Sequence, residues 1–90
     1  MESYGVMQFY KQLGQEIQEN RKLAGMSRRA LAQKLGLTYQ QMYKYEVGQN
    51  KLAAHYLSQI AGHLQMPVAA FFDEVRAERK IVAEITFREI

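Results

Sequence analysis

The chain contains no cysteine. Disulfides and thiolate metal sites are therefore excluded, which fits a reducing compartment. No apolar run approaches the roughly 18 residues that a membrane span requires. The opening stretch, MESYGVMQFYKQLG, has neither the basic n-region nor the long apolar core of a signal peptide. These absences predict a soluble, cytoplasmic protein with no membrane partner. Catalytic signatures are missing as well: there is no glycine-rich phosphate loop, no His-Glu-x-x-His and no Gly-x-Ser-x-Gly. His55 and His63 share one predicted helix without a third ligand in regular spacing, so no metal site is expected. A chain of 90 residues buries roughly 60–65% of its unfolded surface, one domain's worth, with little room for a substrate cavity. The chain is read as a non-enzyme that needs no cofactor.

What is present is an uneven distribution of charge. The net charge of +3 is modest, but residues 11–51 hold eight Lys/Arg against three acids, a local balance of +5. Residues 52–90 hold four bases and five acids, a balance of −1. A basic region of this kind is the electrostatic footprint expected of a protein that meets a polyanion.

Within the basic region lies Met26 to Gly48, MSRRALAQKLGLTYQQMYKYEVG. Ser27 is placed to cap a helix whose apolar side is Leu31 and Leu35. Gly36 can take the left-handed conformation that ends a helix. Thr38 then caps a second helix with Met42 and Tyr45 inward and Tyr39, Gln40, Gln41, Tyr43 and Lys44 outward. The outward side is rich in hydrogen-bonding groups and free of acids, which suits the major groove of DNA.

Ser27, Leu31, Ala32, Gly36, Leu37, Thr38, Met42, Tyr45, Glu46 and Gly48 stand in a register that resembles the helix-turn-helix of the Cro and phage-repressor (Xre-type) regulators. The resemblance implies an all-α, five-helix repressor-like DNA-binding domain, with its helix-turn-helix at residues 27–46. It implies base reading by Tyr39, Gln40 and Lys44, with Gln41 and Tyr43 as further contacts. Glutamine suits adenine N6 and N7, and lysine suits guanine O6 and N7. Phosphate contacts, which position without reading sequence, are expected from Arg28 at a helix N-terminus, and from Thr38, Asn50 and Lys51. In similar proteins the positions of Arg21 and Glu46 form an ion pair that orients the arginine toward a phosphate. The bland alternative is a surface salt bridge worth under about 1 kcal/mol.

Outside this stretch, a first helix is predicted from about Met7 to Ala24, with Phe9, Leu13, Ile17 and Leu23 or Ala24 as its apolar stripe. Gly14 weakens it by about 1 kcal/mol relative to alanine unless a close neighbour needs the space. A fourth helix over about Ala53–Gln65 carries Leu57, Ile60, Ala61 and Leu64 on its core face but lacks a capping side chain. Pro67 opens a fifth, with Met66, Val68, Phe71 and Phe72 closing the base of the core. Residues 1–74 are thus assigned to the DNA-binding domain and 75–90 to a C-terminal extension. In that extension Ile81, Ala83, Ile85 and Phe87 fall on one side of a strand, the preferred reading, while Val75, Val82 and Ile85 could line up in a helix; either way Ile81, Val82, Ile85, Phe87 and Ile90 need cover from water. So many apolar side chains point to a partner surface, and two-fold pairing with a second copy is the economical one; packing back on the chain's own domain is the other.

Together these features predict a homodimeric, sequence-specific binder of double-stranded DNA that regulates transcription, a repressor in the bacterial or phage cytoplasm and nucleoid. No sensory domain is evident, so control by protein level or by a protein partner on the extension is expected. The rival is an antitoxin or adaptor-type protein-binding module with DNA binding secondary.

Overall fold

Leu13, Ile17 and residue 21 recur at four-residue spacing, and this stripe fixes how the first helix lies on the rest. The computed structural model describes residues 4–72. Four α-helices follow one another: α1 (Tyr4–Leu23), α2 (Arg28–Leu35), α3 (Tyr39–Glu46) and α4 (Ala54–His63). A short 3-10 helix, Val68–Phe72, closes the described chain. Among the described residues there is no strand. The extension residues Ile81, Val82, Ile85, Phe87 and Ile90, and with them the choice between strand and helix, lie outside the described residues.

The core is assembled from every element: Leu13 and Ile17 of α1, Leu31, Ala32 and Leu35 of α2, Met42 of α3, Leu57, Ile60 and Ala61 of α4, with Leu52 and Phe71. Each fully buried aliphatic side chain of this set contributes about 1.5–3 kcal/mol of burial. Ala32 is buried between α2 and its neighbours, where a larger side chain would have to displace close-packed atoms.

Two close backbone approaches tie α1 to the far end of α3. A Cβ on Gly14 would strike the backbone carbonyls of Tyr45 and Glu46, and one on Gly48 would sit 2.6 Å from the Lys11 Cα. The predicted weakness of Gly14 in its helix is thus the condition for α1 to cross α3 at that point. Gly48, at φ +78°, serves the same contact from the loop side.

Three expectations are corrected. Leu23 is 85% exposed and Ala24 is also exposed, so neither extends the α1 stripe. The position on the buried side belongs to Arg21, only 5% exposed, which follows Ile17 at the four-residue interval that keeps one helical face. Val68 stands exposed while Phe71 is buried, and the segment after Pro67 winds as a 3-10 helix rather than an α-helix. Three residues per turn aim Val68 and Phe71 alike in an ideal 3-10 helix; here Val68, at its first position, lies at the edge of the core.

Candidate nucleic-acid interface

The turn between α2 and α3 is built by local hydrogen bonds. Ser27 accepts at its hydroxyl from the Ala30 N–H at 3.0 Å, capping α2. Gly36 ends that helix at φ +70°, and the Leu37 N–H donates back to the Ala32 carbonyl at 2.9 Å. Thr38 then caps α3: its hydroxyl accepts from the Gln41 N–H at 3.1 Å, while its own N–H donates to Gln41 Oε1 at 2.9 Å. This reciprocal pair satisfies two of the helix's otherwise orphaned donors.

With about 100° of rotation per residue, the side chains of α3 sort into two arcs. Met42 and Glu46 are buried and Tyr45 is half-buried, while Tyr39, Gln40, Gln41, Tyr43 and Lys44 are exposed. Gln40 and Lys44 occupy the middle of the exposed arc. Tyr39 and Tyr43 flank it on the side nearest Glu46, and Gln41 flanks it on the other. The Gln41 side-chain oxygen already accepts from the cap, which leaves its amide N–H groups the freest to face a ligand. The Thr-x-x-Gln spacing that signals this role was present in the sequence.

Behind the exposed arc lies a charged network. Glu46 is 1% exposed, and its carboxylate accepts from two arginines. Arg21 Nε and a terminal nitrogen donate to it at 2.8 and 3.0 Å, and Arg28 Nε donates at 2.9 Å. Arg21 also donates to the Met26 carbonyl at 2.9 Å. The Arg21–Glu46 pair is buried, so the surface-salt-bridge reading does not describe it. No buried side-chain nitrogen or oxygen among the described residues lacks a partner.

Arg28 carries the network outward. A terminal nitrogen donates to the Tyr39 hydroxyl at 3.0 Å. Its guanidinium lies 5.6 Å from the Tyr39 ring centre and 5.1 Å from that of Tyr43, within cation–π range. Partial burial works to lower the Arg28 pKa, but the hydrogen bonds to Glu46 and Tyr39 prevail and raise it above its ordinary value. Two arginines share one carboxylate, so the cluster keeps a net positive charge at its exposed edge. The first residue of α2 thereby fixes two tyrosines of α3, an arrangement that spacing along the chain does not reveal.

The loop after α3 folds back on the helix end. The N–H groups of Gln49 and Asn50 both approach the Lys44 carbonyl, at 2.9 and 3.4 Å. Asn50 and Lys51 are exposed. Thr38, Arg28 and the exposed arc of α3 stand together around the helix-turn-helix; Asn50 and Lys51 come from the loop past its other end; Arg21 lies nearly enclosed beneath. Among the described residues no group of three or more His, Asp or Glu could hold a metal ion, and no helix is long and apolar enough to cross a membrane.

Comparison with known proteins gives a consistent set of similarities. The sequence profile of the helix-turn-helix family matches residues 17–71. The chain is 40% identical over 62 residues to an HTH-type transcriptional regulator of Sinorhizobium medicae, a match covering 69% of this chain and 45% of the relative. It is 33% identical over 63 residues to a transcriptional regulator in the ATPase CF(0) region of Rhodospirillum rubrum, covering 70% and 58%. The matched part is thus about half the length of these relatives. Among solved structures, the clp gene regulator ClgR of Corynebacterium glutamicum superposes with a TM-score of 0.70 at 20% identity, over 77% of this chain and 90% of that one. That likeness concerns the fold.

Proposed function

The chain belongs to the helix-turn-helix family of Cro/C1 (Xre) type transcriptional regulators, and from that premise we propose that it is a homodimeric repressor that binds a pseudo-palindromic operator in double-stranded DNA. The observation that carries this reading is the acid-free exposed arc of α3, centred on Gln40 and Lys44 and held rigid by its cap and by the Arg21–Glu46–Arg28 network. Gln40 and Lys44 are the leading base readers, Tyr39 and Tyr43 contribute at the edge of the arc, and Gln41 has a lesser part. Each good contact discriminates between bases by about 1–3 kcal/mol.

Phosphates are held by Thr38, Asn50, Lys51 and the charged edge of Arg28. The nearly buried Arg21, with Glu46, orients this machinery and reaches a phosphate only at its margin. Residues 1–74 form the DNA-binding unit, and the extension 75–90 brings two units together through Ile81, Val82, Ile85, Phe87 and Ile90. Two-fold symmetry then places two α3 helices in successive major grooves, half-sites about one helical turn or roughly 34 Å apart. Occupying the operator excludes polymerase, a mechanism suited to the bacterial or phage cytoplasm.

The test is the double variant Gln40→Ala/Lys44→Ala in the full chain. It should lose preference for the best binding sequence over random duplex while keeping its oligomeric state in light scattering. Undiminished preference would show that other residues read the bases.

A further inference from the structure

Tyr39 and Tyr43 stand one helical turn apart on the same side of α3, and both are well exposed, at 46% and 43%. Both rings are braced. The Arg28 guanidinium lies 5.6 Å from the centre of the first and 5.1 Å from the centre of the second. The Arg29 guanidinium stands 5.9 Å from the Tyr39 ring centre. Arg28 is itself anchored: its Nε donates to the buried Glu46 carboxylate at 2.9 Å, and a terminal nitrogen donates to the Tyr39 hydroxyl at 3.0 Å. A planar cation thus holds two exposed aromatic side chains from behind. Part of the rotamer freedom that a ligand would have to remove is already absent before binding.

What such rings can meet in a major groove is narrow. The bases of a duplex are stacked, so only their edges are offered. Those edges carry donors, acceptors and a single apolar group, the 5-methyl of thymine; methylation of cytosine at C5 puts the same group at the same ring position. Ring carbon pressed on a donor or acceptor leaves that group unsatisfied, at a cost, whereas a methyl loses only its water. The Tyr39 hydroxyl, held by Arg28, is drawn back toward α2, which leaves ring carbon as the part turned outward. We infer that Tyr39 and Tyr43 form a methyl-reading face, so that each half-site carries a 5-methylpyrimidine beside the bases met by Gln40 and Lys44, with Arg28 as the positioning residue. The inference rests on α3 reading the major groove and adds the chemical class of base that its aromatic flank selects.

Helical geometry places the methyl. Tyr39 and Tyr43 each precede a polar reader by one residue, Gln40 and Lys44, about 100° round the helix. The aromatic pair and the polar pair therefore run side by side along α3 as two rows. Amide and ammonium groups suit purine edges, and the rings suit the methyl of a neighbouring pyrimidine. One row reads by hydrogen bonds and the other by excluding water. Loss of one methyl from such a contact weakens binding about fourfold, the factor that corresponds to one buried CH₂-sized group.

The test uses the full chain and the best duplex that it selects from random DNA. In one half-site each thymine is replaced in turn by uracil, which lacks only the methyl, and each cytosine by 5-methylcytosine, which adds it. Fluorescence anisotropy gives the affinity ratio of methylated to unmethylated base at each position. The inference expects a preference for the methyl of about fourfold at one position or at two neighbouring ones. A response at thymine names thymine as the source, and a response at cytosine alone names 5-methylcytosine. The preference should vanish in Tyr39→Ala or Tyr43→Ala and survive Tyr39→Phe or Tyr43→Phe at the same residue, because the ring is kept. Arg28→Lys should lower it in a protein that still unfolds cooperatively; an unchanged preference removes Arg28 from the positioning role. No methyl preference at any position, with sequence selection intact, overturns methyl reading and leaves base reading by Gln40 and Lys44 standing. A preference that persists in both alanine variants, or that is lost with the hydroxyl alone, overturns the assignment to the tyrosine rings. Selection that enriches no sequence overturns both readings.

Discussion

At the scale of single residues, Glu46 is the pivot. Its carboxylate is buried and shared by Arg21 and Arg28, so removing it leaves a nearly enclosed guanidinium without a counter-charge. Breaking a buried pair in this way costs about 3–5 kcal/mol, a large part of the 5–15 kcal/mol typical of a folded domain. Glu46→Ala should therefore lower the urea midpoint steeply; a loss below about 1 kcal/mol would place the pair among ordinary surface bridges. Where Glu46→Ala still folds, unchanged affinity for the operator would count against any orienting role. Arg28 separates charge from geometry. Arg28→Lys keeps the charge but not the planar fork that meets Glu46 and Tyr39 together. We expect weaker binding to the best operator by about 0.5–1.5 kcal/mol, the value of the lost hydrogen bond, with the salt slope unchanged. Equal affinity of the two proteins would make Arg28 a plain phosphate charge. Neither role could be read fully from the sequence. Arg21 sits in an apolar stripe only because its partner, 25 residues later in the chain, arrives through tertiary packing. The Arg28–tyrosine contact likewise exists only once α2 and α3 are folded together.

At the scale of elements, glycine substitutions measure how closely the helices approach. In an isolated helix, Gly→Ala gains up to about 1 kcal/mol. At Gly14 the new methyl would meet the Tyr45 and Glu46 backbone carbonyls, and overpacking of rigid atoms costs about 1–3 kcal/mol. Gly14→Ala should thus destabilise the protein and disturb the end of α3. At Gly62 in α4 a methyl would find nothing within 4 Å, so Gly62→Ala should stabilise by about 0.4–1 kcal/mol. Thermal unfolding of the two variants should move in opposite directions; the same direction for both would contradict the α1–α3 crossing. Local signals made much of this architecture legible. Ser27, Gly36 and Thr38 bracket α2 and α3 as capping chemistry requires, and the periodic Leu31, Leu35 and Met42 mark their buried sides. The uncapped start expected of α4 is found at Ala53, which makes no side-chain cap. Local signals did not give the 3-10 winding after Pro67, whereas they did carry the use of Gln41 as a cap partner. The first depends on where α1 offers Phe9 to Phe72. The second was legible in Thr38-x-x-Gln41, but the exposed side chain also fitted a base contact.

At the scale of the whole molecule, the proposed function joins a small positive reading surface to a second copy of itself. On that proposal a single α3 would contact only a few base pairs, and specificity would depend on two arriving together. If the dimer neutralises 6–10 phosphates, its affinity should fall by about 10³–10⁵ between 50 and 200 mM salt. A nearly flat salt dependence would favour a protein-binding module in place of a DNA binder. Everything else turns on α3 reading bases, through Gln40 and Lys44, in a symmetric site. Selection from random duplex DNA by the full chain is the decisive measurement, since one sequence profile reports half-site, symmetry and spacing together. The expected profile is an enriched inverted repeat with half-site centres about one helical turn apart, and that enrichment should be lost in Gln40→Ala/Lys44→Ala. Selection that enriches no sequence, or that returns the same repeat with the double variant, would contradict base reading by these two residues.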